Sequence, residues 1–196
     1  MISLKAFLPV LSKHTDVSVT ALYERQRALV RLGLFPAPTQ SGRNSGGAMA
    51  TPGNVGIMLL SVLITDRLSE VDGRIFDYLT LKASTSYEAY RGAANPDCCV
   101  FTGQRNLYRC LQALLKGGLY VNNMVDISLD RKRQIVRLKH PDPDEWQTVT
   151  FGVETEFPRI EHLIHYGHIL ALSEDLWTCN QPPENRVGMY SPLESD

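Results

Sequence analysis

The chain lacks the short motifs that mark the common enzyme classes. It has no G-x-S-x-G nucleophile elbow, no phosphate-binding G-x-x-x-x-G-K-[ST] loop, no H-E-x-x-H and no glycine fingerprint joined to a strand. Cysteine is sparse, at four residues. Cys98 and Cys99 are adjacent, where a disulfide is strained, and Cys110 and Cys179 stand at no zinc-ligand spacing. The start of the chain lacks a secretory signal, because Pro9 interrupts the only short apolar stretch there. Reduced thiols and the missing signal together imply a cytoplasmic protein. Long apolar runs are also missing, and the longest, Val55 to Ile64, is too short to span a bilayer. Neither sign of charge dominates, the formal net being −1 at pH 7. These absences argue against an enzyme, a metal or cofactor protein, a disulfide scaffold and a membrane protein.

What is present is an ordinary globular composition with an uneven charge. A hydrophobic share of 43% over 196 residues suffices to bury a core. Residues 1–50 hold Lys5, Lys13, Arg25, Arg27, Arg31 and Arg43 against Asp16 and Glu24, so this quarter is basic and the remainder acidic. Such asymmetry suggests a basic binding module joined to an acidic part that oligomerises or meets a partner.

Periodicity divides the chain into four parts. Leu4, Phe7, Leu8 and Leu11 recur at helical spacing, Lys13 to Asp16 reads as a turn, and Asp16 or Ser18 can cap a helix continuing to Leu32. Pro36 and Pro38 end any continuation, and Thr51-Pro52 signals a new helix start. From Val55 that helix is apolar around nearly its whole circumference, which predicts either central burial or pairing with another subunit. Ser69 to Asp72 begins a further helix, and the first module, residues 1–83, ends near Ala83. Residues 84–100 read as a connection. A second module, residues 101–176, opens with a helix from Thr102-Gly103 that stops at Gly117-Gly118. The period then switches to alternation around Val125 to Leu129, Val136 to Leu138 and Val149 to Val153, predicting a three-stranded antiparallel meander. A helix over Ile160 to Leu172 follows, and residues 177–196 form a loosely held tail. The fold class expected is α+β, with a helical module ahead of a small sheet and its flanking helices.

The most informative stretch runs from Thr20 to Val55. Arg27 and Arg31 share one helix face with Arg25 close beside them, while Leu22, Leu29 and Leu32 are available to pack inward. Beyond Gly33 the run from Ser41 to Gly47 combines backbone freedom with one guanidinium. Leu22-Tyr23-Glu24-Arg25, Gly33-Leu34-Phe35-Pro36 and Ala50-Thr51-Pro52-Gly53-Asn54-Val55 resemble the recognition helix, its exit and the next helix entry of the mercury-resistance regulator (MerR) family and its excisionase-like relatives. The resemblance covers roughly residues 4–66 and implies a winged helix-turn-helix that binds double-stranded DNA. It gives Arg25, Arg27 and Arg31 to the major groove and Arg43 to the backbone beside the wing. Ser18, Thr20 and Tyr23 on the helix and Asn44 on the wing complete the candidate set.

Other groups carry less. On a helix, His162, His165 and His168 near Glu161 spread over too wide an arc to converge on one ion, so no metal and no cofactor are expected. Asp142, Asp144 and Glu145, beside Pro141 and Pro143, read as a solvated turn. The function expected is a sequence-specific DNA-binding protein, a transcriptional regulator of phage or mobile-element type. Two readings stay open beside it: a small-terminase-like packaging adaptor, and a protein-interaction module without DNA. Each is a homo-oligomer, associating through residues 52–79 or through the C-terminal module.

Overall fold

The computed structural model describes residues 1–37, 47–84, 98–99, 101–116, 125–139, 148–152 and 162–182. Its elements are helices α1 (Leu4–Thr15), α2 (Val19–Arg31), α3 (Pro52–Leu63) and α4 (Leu68–Thr80), strand β1 (Ala83–Ser84), helix α5 (Leu107–Lys116), strands β2 (Asp126–Asp130), β3 (Ile135–Lys139), β4 (Thr148–Phe151) and β5 (His162–Ile164), and helix α6 (Tyr166–Asn180). Helices and an antiparallel sheet make the class α+β. Among the described residues no helix is long and apolar enough to cross a membrane.

α1 begins where the Ser3 side chain accepts from the Ala6 amide and buries Leu4, Phe7, Leu8 and Leu11. It continues beyond Leu11 to Thr15, absorbing much of the expected turn. Asp16 ends it in the left-handed region at φ 53°, a conformation that Asp tolerates better than most residues. Asp16 therefore closes α1, and Ser18 caps α2 by accepting from the Ala21 amide at 3.2 Å.

α3 is the centre of the molecule. Thr51 caps it, Pro52 occupies the first turn, and nine of its residues, from Gly53 to Leu63, are buried. α1, α2, α4 and α5 all pack against it. Small residues admit α5: a Cβ on Gly53 would stand 2.8 Å from Tyr108 Oη, and Leu111 and Leu115 lie over Gly56. Of the two outcomes expected for an apolar helix, burial within its own chain is the one observed. That removes α3 from the surface anticipated for oligomerisation over residues 52–79, although Leu68 and Phe76 on α4 are exposed.

A buried helix ends in carbonyls that need donors. Arg25 supplies them from α2, donating to Ser61 O at 2.6 Å, Thr65 O at 2.9 Å and Asp66 O at 3.2 Å. Arg131, from the turn between β2 and β3, donates to Leu63 O at 2.7 Å and grips both carboxylate oxygens of Asp66 at 2.7 and 3.0 Å. Two cations at the negative end of a helix dipole satisfy orphan acceptors and offset local charge together.

The sheet has the order β1-β4-β3-β2-β5 and is antiparallel throughout. Consecutive strands β2, β3 and β4 lie side by side in the stretches whose apolar residues alternate. The turn between β2 and β3 is tied by Asp130, which accepts from the Arg133 amide and pairs with its guanidinium, both at 3.0 Å. Gly152 faces that turn at φ +105°, where an added Cβ would come within 2.5 Å of Gln134 O.

Several expected boundaries move. α5 starts at Leu107 rather than Thr102, because Gly103 adopts a positive φ of 68° and Asn106 supplies the cap, its Oδ1 accepting from the Arg109 amide at 2.8 Å. The helix expected from Ile160 begins only at Tyr166, since His162–Ile164 pair with β2 as a strand. α6 then runs through Trp177 to Asn180, so the start of the expected tail is helical. Nor does the core divide near residue 83. β1 pairs with β4, α5 lies on α3, α6 packs against α1, and one buried cluster extends from Leu4 to Leu176. The second helix stop, Gly117-Gly118, lies outside the described residues.

Replacing Arg25 by Ala leaves three carbonyls without their donor. At about 1 kcal/mol or more for each under-satisfied acceptor, the loss in urea denaturation should be about 3 kcal/mol, against under 1 kcal/mol for Arg27→Ala. Equal effects of the two substitutions would contradict the inward role of Arg25. Gly152→Ala, with both a backbone collision and an unfavourable φ, should cost about 3 kcal/mol in the same assay.

Candidate nucleic-acid interface

On α2 the inward stripe comprises Leu22, Arg25, Ala28 and Leu29. Arg25 is three residues after Leu22 and four before Leu29, so the helical repeat turns it into the core with them. It is 5% exposed, and burial pulls its guanidinium below the usual pKa, with the Asp66 carboxylate opposing that shift and Arg131 adding to it. Arg25 is thus not placed to meet a phosphate, and the major-groove role expected of it is replaced by capping α3.

Arg27 and Arg31 lie on the opposite face, their side chains 63% and 67% exposed. Each meets a carboxylate: Arg27 Nη1 is 3.1 Å from Glu24, and Arg31 Nη2 is 3.2 Å from Asp72. Exposed pairs of this kind contribute about 0–1 kcal/mol, so a phosphate can displace the carboxylate at small cost. Lys5, on the first turn of α1, places its ammonium 5.0 Å from the centre of the Tyr23 ring. Lys5, Tyr23, Gln26, Arg27 and Arg31 line one open cleft of about 500 Å³. Gln26 Oε1 is buried there without a hydrogen-bond partner among the described residues.

The chain returns to this cleft after residues 38–46. Pro36 lines one part of it, and Gly47 and Ala48 another. Ala48 to Ala50 then pair antiparallel with Ile2 to Leu4, through Leu4 N to Ala48 O at 2.8 Å and Ala50 N to Ile2 O at 3.0 Å. Both anchors of the glycine-rich segment therefore flank the arginine face. Arg43 and Asn44 lie outside the described residues. Ser18 and Thr20 are exposed at the start of α2, with the Ser18 hydroxyl engaged in its cap, and Tyr23 borders the cleft. Lys5 and Gln26 were not singled out from the sequence. Their membership depends on how α1 crosses α2, which no local pattern records.

The histidines are dispersed. His162 belongs to β5, while His165 precedes α6 and stands 3.6 Å from Asp126. His168 meets the His14 ring edge-on at 6.2 Å, and His14 bonds Asp175 at 3.0 Å. No group of three or more His, Cys, Asp or Glu side chains among the described residues is arranged to hold a metal ion.

No family model matches the chain, and no curated protein or solved structure is detectably similar to it. The functional argument therefore rests on the cleft.

Arg27 and Arg31 make only surface contacts, so the double variant Arg27→Ala/Arg31→Ala should fold normally. Its circular dichroism should be unchanged and its urea stability within about 1 kcal/mol of the parent.

Proposed function

We propose that the chain is a sequence-specific double-stranded DNA-binding protein, a transcriptional regulator of the kind carried by phages and mobile elements, which acts by binding rather than by catalysis. The observation that carries this reading is the convergence of Lys5, Arg27, Arg31 and both anchors of the glycine-rich segment on one exposed cleft. In this reading α1 and α2 form a helix-turn-helix and residues 38–46 its wing, in line with the mercury-resistance regulator resemblance. α2 has 13 residues and is about 20 Å long, a rod that the major groove admits. Arg27 and Arg31 exchange Glu24 and Asp72 for phosphate or base-edge acceptors. Thr20, Tyr23 and Gln26 face the groove, and Arg43 and Asn44 follow the adjacent backbone.

Exposed Leu68 and Phe76 on α4, the latter 47% exposed, favour self-association next to this interface. A dimer fits a regulator on a palindromic site, and a ring fits a packaging adaptor. Light scattering after size exclusion separates them.

Fluorescence anisotropy with random and genomic duplex DNA across a salt series tests the main reading. Contacts from Lys5, Arg27, Arg31 and Arg43 to four phosphates predict a log–log salt slope of about −3.6. The Arg27→Ala/Arg31→Ala variant should bind at least ten-fold more weakly and halve that slope. Absence of binding at low salt, or an unaltered slope in the variant, would overturn the assignment.

A further inference from the structure

The DNA reading leaves a pair of buried thiols unused. Cys99 lies at the start of a tight turn: its amide donates to Gln104 O at 2.8 Å, and its carbonyl accepts from Gly103 N at 2.7 Å and Thr102 N at 3.3 Å. Cys110 lies one turn into α5, on the same inward face as Leu107 and Leu111. The turn brings the two sulfurs to 3.3 Å, with the Cys110 thiol donating to Cys99 Sγ and the Thr102 hydroxyl donating to Cys110 Sγ at 3.2 Å. Forming a bond of about 2.05 Å requires the sulfurs to approach by little more than 1 Å. All four cysteines are thiols in the structure.

The two thiols are chemically unequal. The Cys110 hydrogen bond, working against burial and helped by the Thr102 hydroxyl and the amides of Phe101 and Thr102, lowers Cys99 to about 7. Burial, the bond with Cys99 and the charge on Cys99 push Cys110 well above the ordinary thiol range. Near neutral pH Cys99 is therefore close to the midpoint of its ionisation, while Cys110 stays protonated. Both side chains have no exposed area, which keeps out bulky disulfides such as oxidised glutathione. Hydrogen peroxide, scarcely larger than water, can reach them through local opening.

We propose that Cys99 and Cys110 form a peroxide-oxidisable dithiol, in which Cys99 is the attacking sulfur and Cys110 the resolving one. The Cys99 thiolate attacks one peroxide oxygen, the O–O bond breaks, and the departing hydroxide takes up the proton that Cys99 had released, forming water. Cys99 is left as a sulfenic acid. Cys110 sulfur then displaces the hydroxyl group from Cys99, and that hydroxyl leaves with the Cys110 proton as a second water. Two thiols lose two electrons to become one disulfide, and one hydrogen peroxide is reduced to two waters. The bridge ties the turn at Cys99 to α5, which packs directly on α3.

The test is peroxide treatment of the reduced, folded full chain, with alkylation of remaining thiols and peptide mass spectrometry. The expected product is a cross-linked pair of peptides carrying Cys99 and Cys110, lighter by two hydrogens and restored by dithiothreitol. Its rate of formation should rise with pH around a midpoint near 7, following the Cys99 thiolate. A Cys98→Ser/Cys179→Ser variant, which leaves the pair intact, should give the same yield. A bridge through Cys98 or Cys179, sulfinic acid at Cys99 with Cys110 unbridged, or no oxidation at ten-fold excess peroxide would each overturn the proposal.

Discussion

The whole arrangement depends on burying one helix whose C-terminal carbonyls point into the protein. α3 carries almost no polar side chains, so the hydrophobic effect draws every neighbouring helix onto it, yet its last turn cannot be hidden without donors. Arg25 and Arg131 together meet that requirement. One comes from α2 and the other from a sheet turn, so a single helix end registers the helical half against the sheet. Tyr78 reinforces the junction by donating to Arg131 O at 3.3 Å. The polar groups here decide which way the apolar layers fit; the apolar layers supply most of the free energy.

The same constraint sorts the arginines of α2. A helix of 13 residues presenting Leu22 and Leu29 to the core has only part of its circumference left for solvent. Arg25 falls on the core side and becomes an internal cap, whereas Arg27 and Arg31 fall on the outer side and keep their reach. The candidate interface is therefore narrower than a count of basic residues implies, and Lys5 from α1 makes up for the arginine turned inward.

Legibility followed the range of the interactions. Local chemistry was readable: the caps at Ser18 and Thr51, the proline at position 52, the alternation in β2 to β4, and the shared face of Arg27 and Arg31 all depend on residues within a turn or two. β1 and β5, of two and three residues, are too short to show a period and exist because distant strands accept their hydrogen bonds. The misplaced start of α6 has the same cause, since an apolar stretch around Ile164 suits helix and strand equally until β2 lies beside it. The burial of Arg25 is written in its spacing from Leu22 and Leu29, although its charge alone argues for the surface. The cleft was invisible as a unit, because Lys5 and Gln26 join it only through the packing of α1 on α2.

The close fit of α5 over Gly53 and Gly56 has a bearing on how the chain is made. During synthesis α3 emerges after α1 and α2, which can cover part of it, but it must wait for residues 107–115 before its α5 side is sheltered from water, and for residue 131 before its end is fully capped. Asn180 closes the assembly later still, accepting from Ile2 N at 3.2 Å and donating to Ala50 O at 2.8 Å, so that a late segment holds an early one. The nascent N-terminal segment thus spends the interval with one apolar face of α3 uncovered. Its exposure to chaperones, and to aggregation when translation stalls, is set by the distance in sequence between α3 and the residues that cover it.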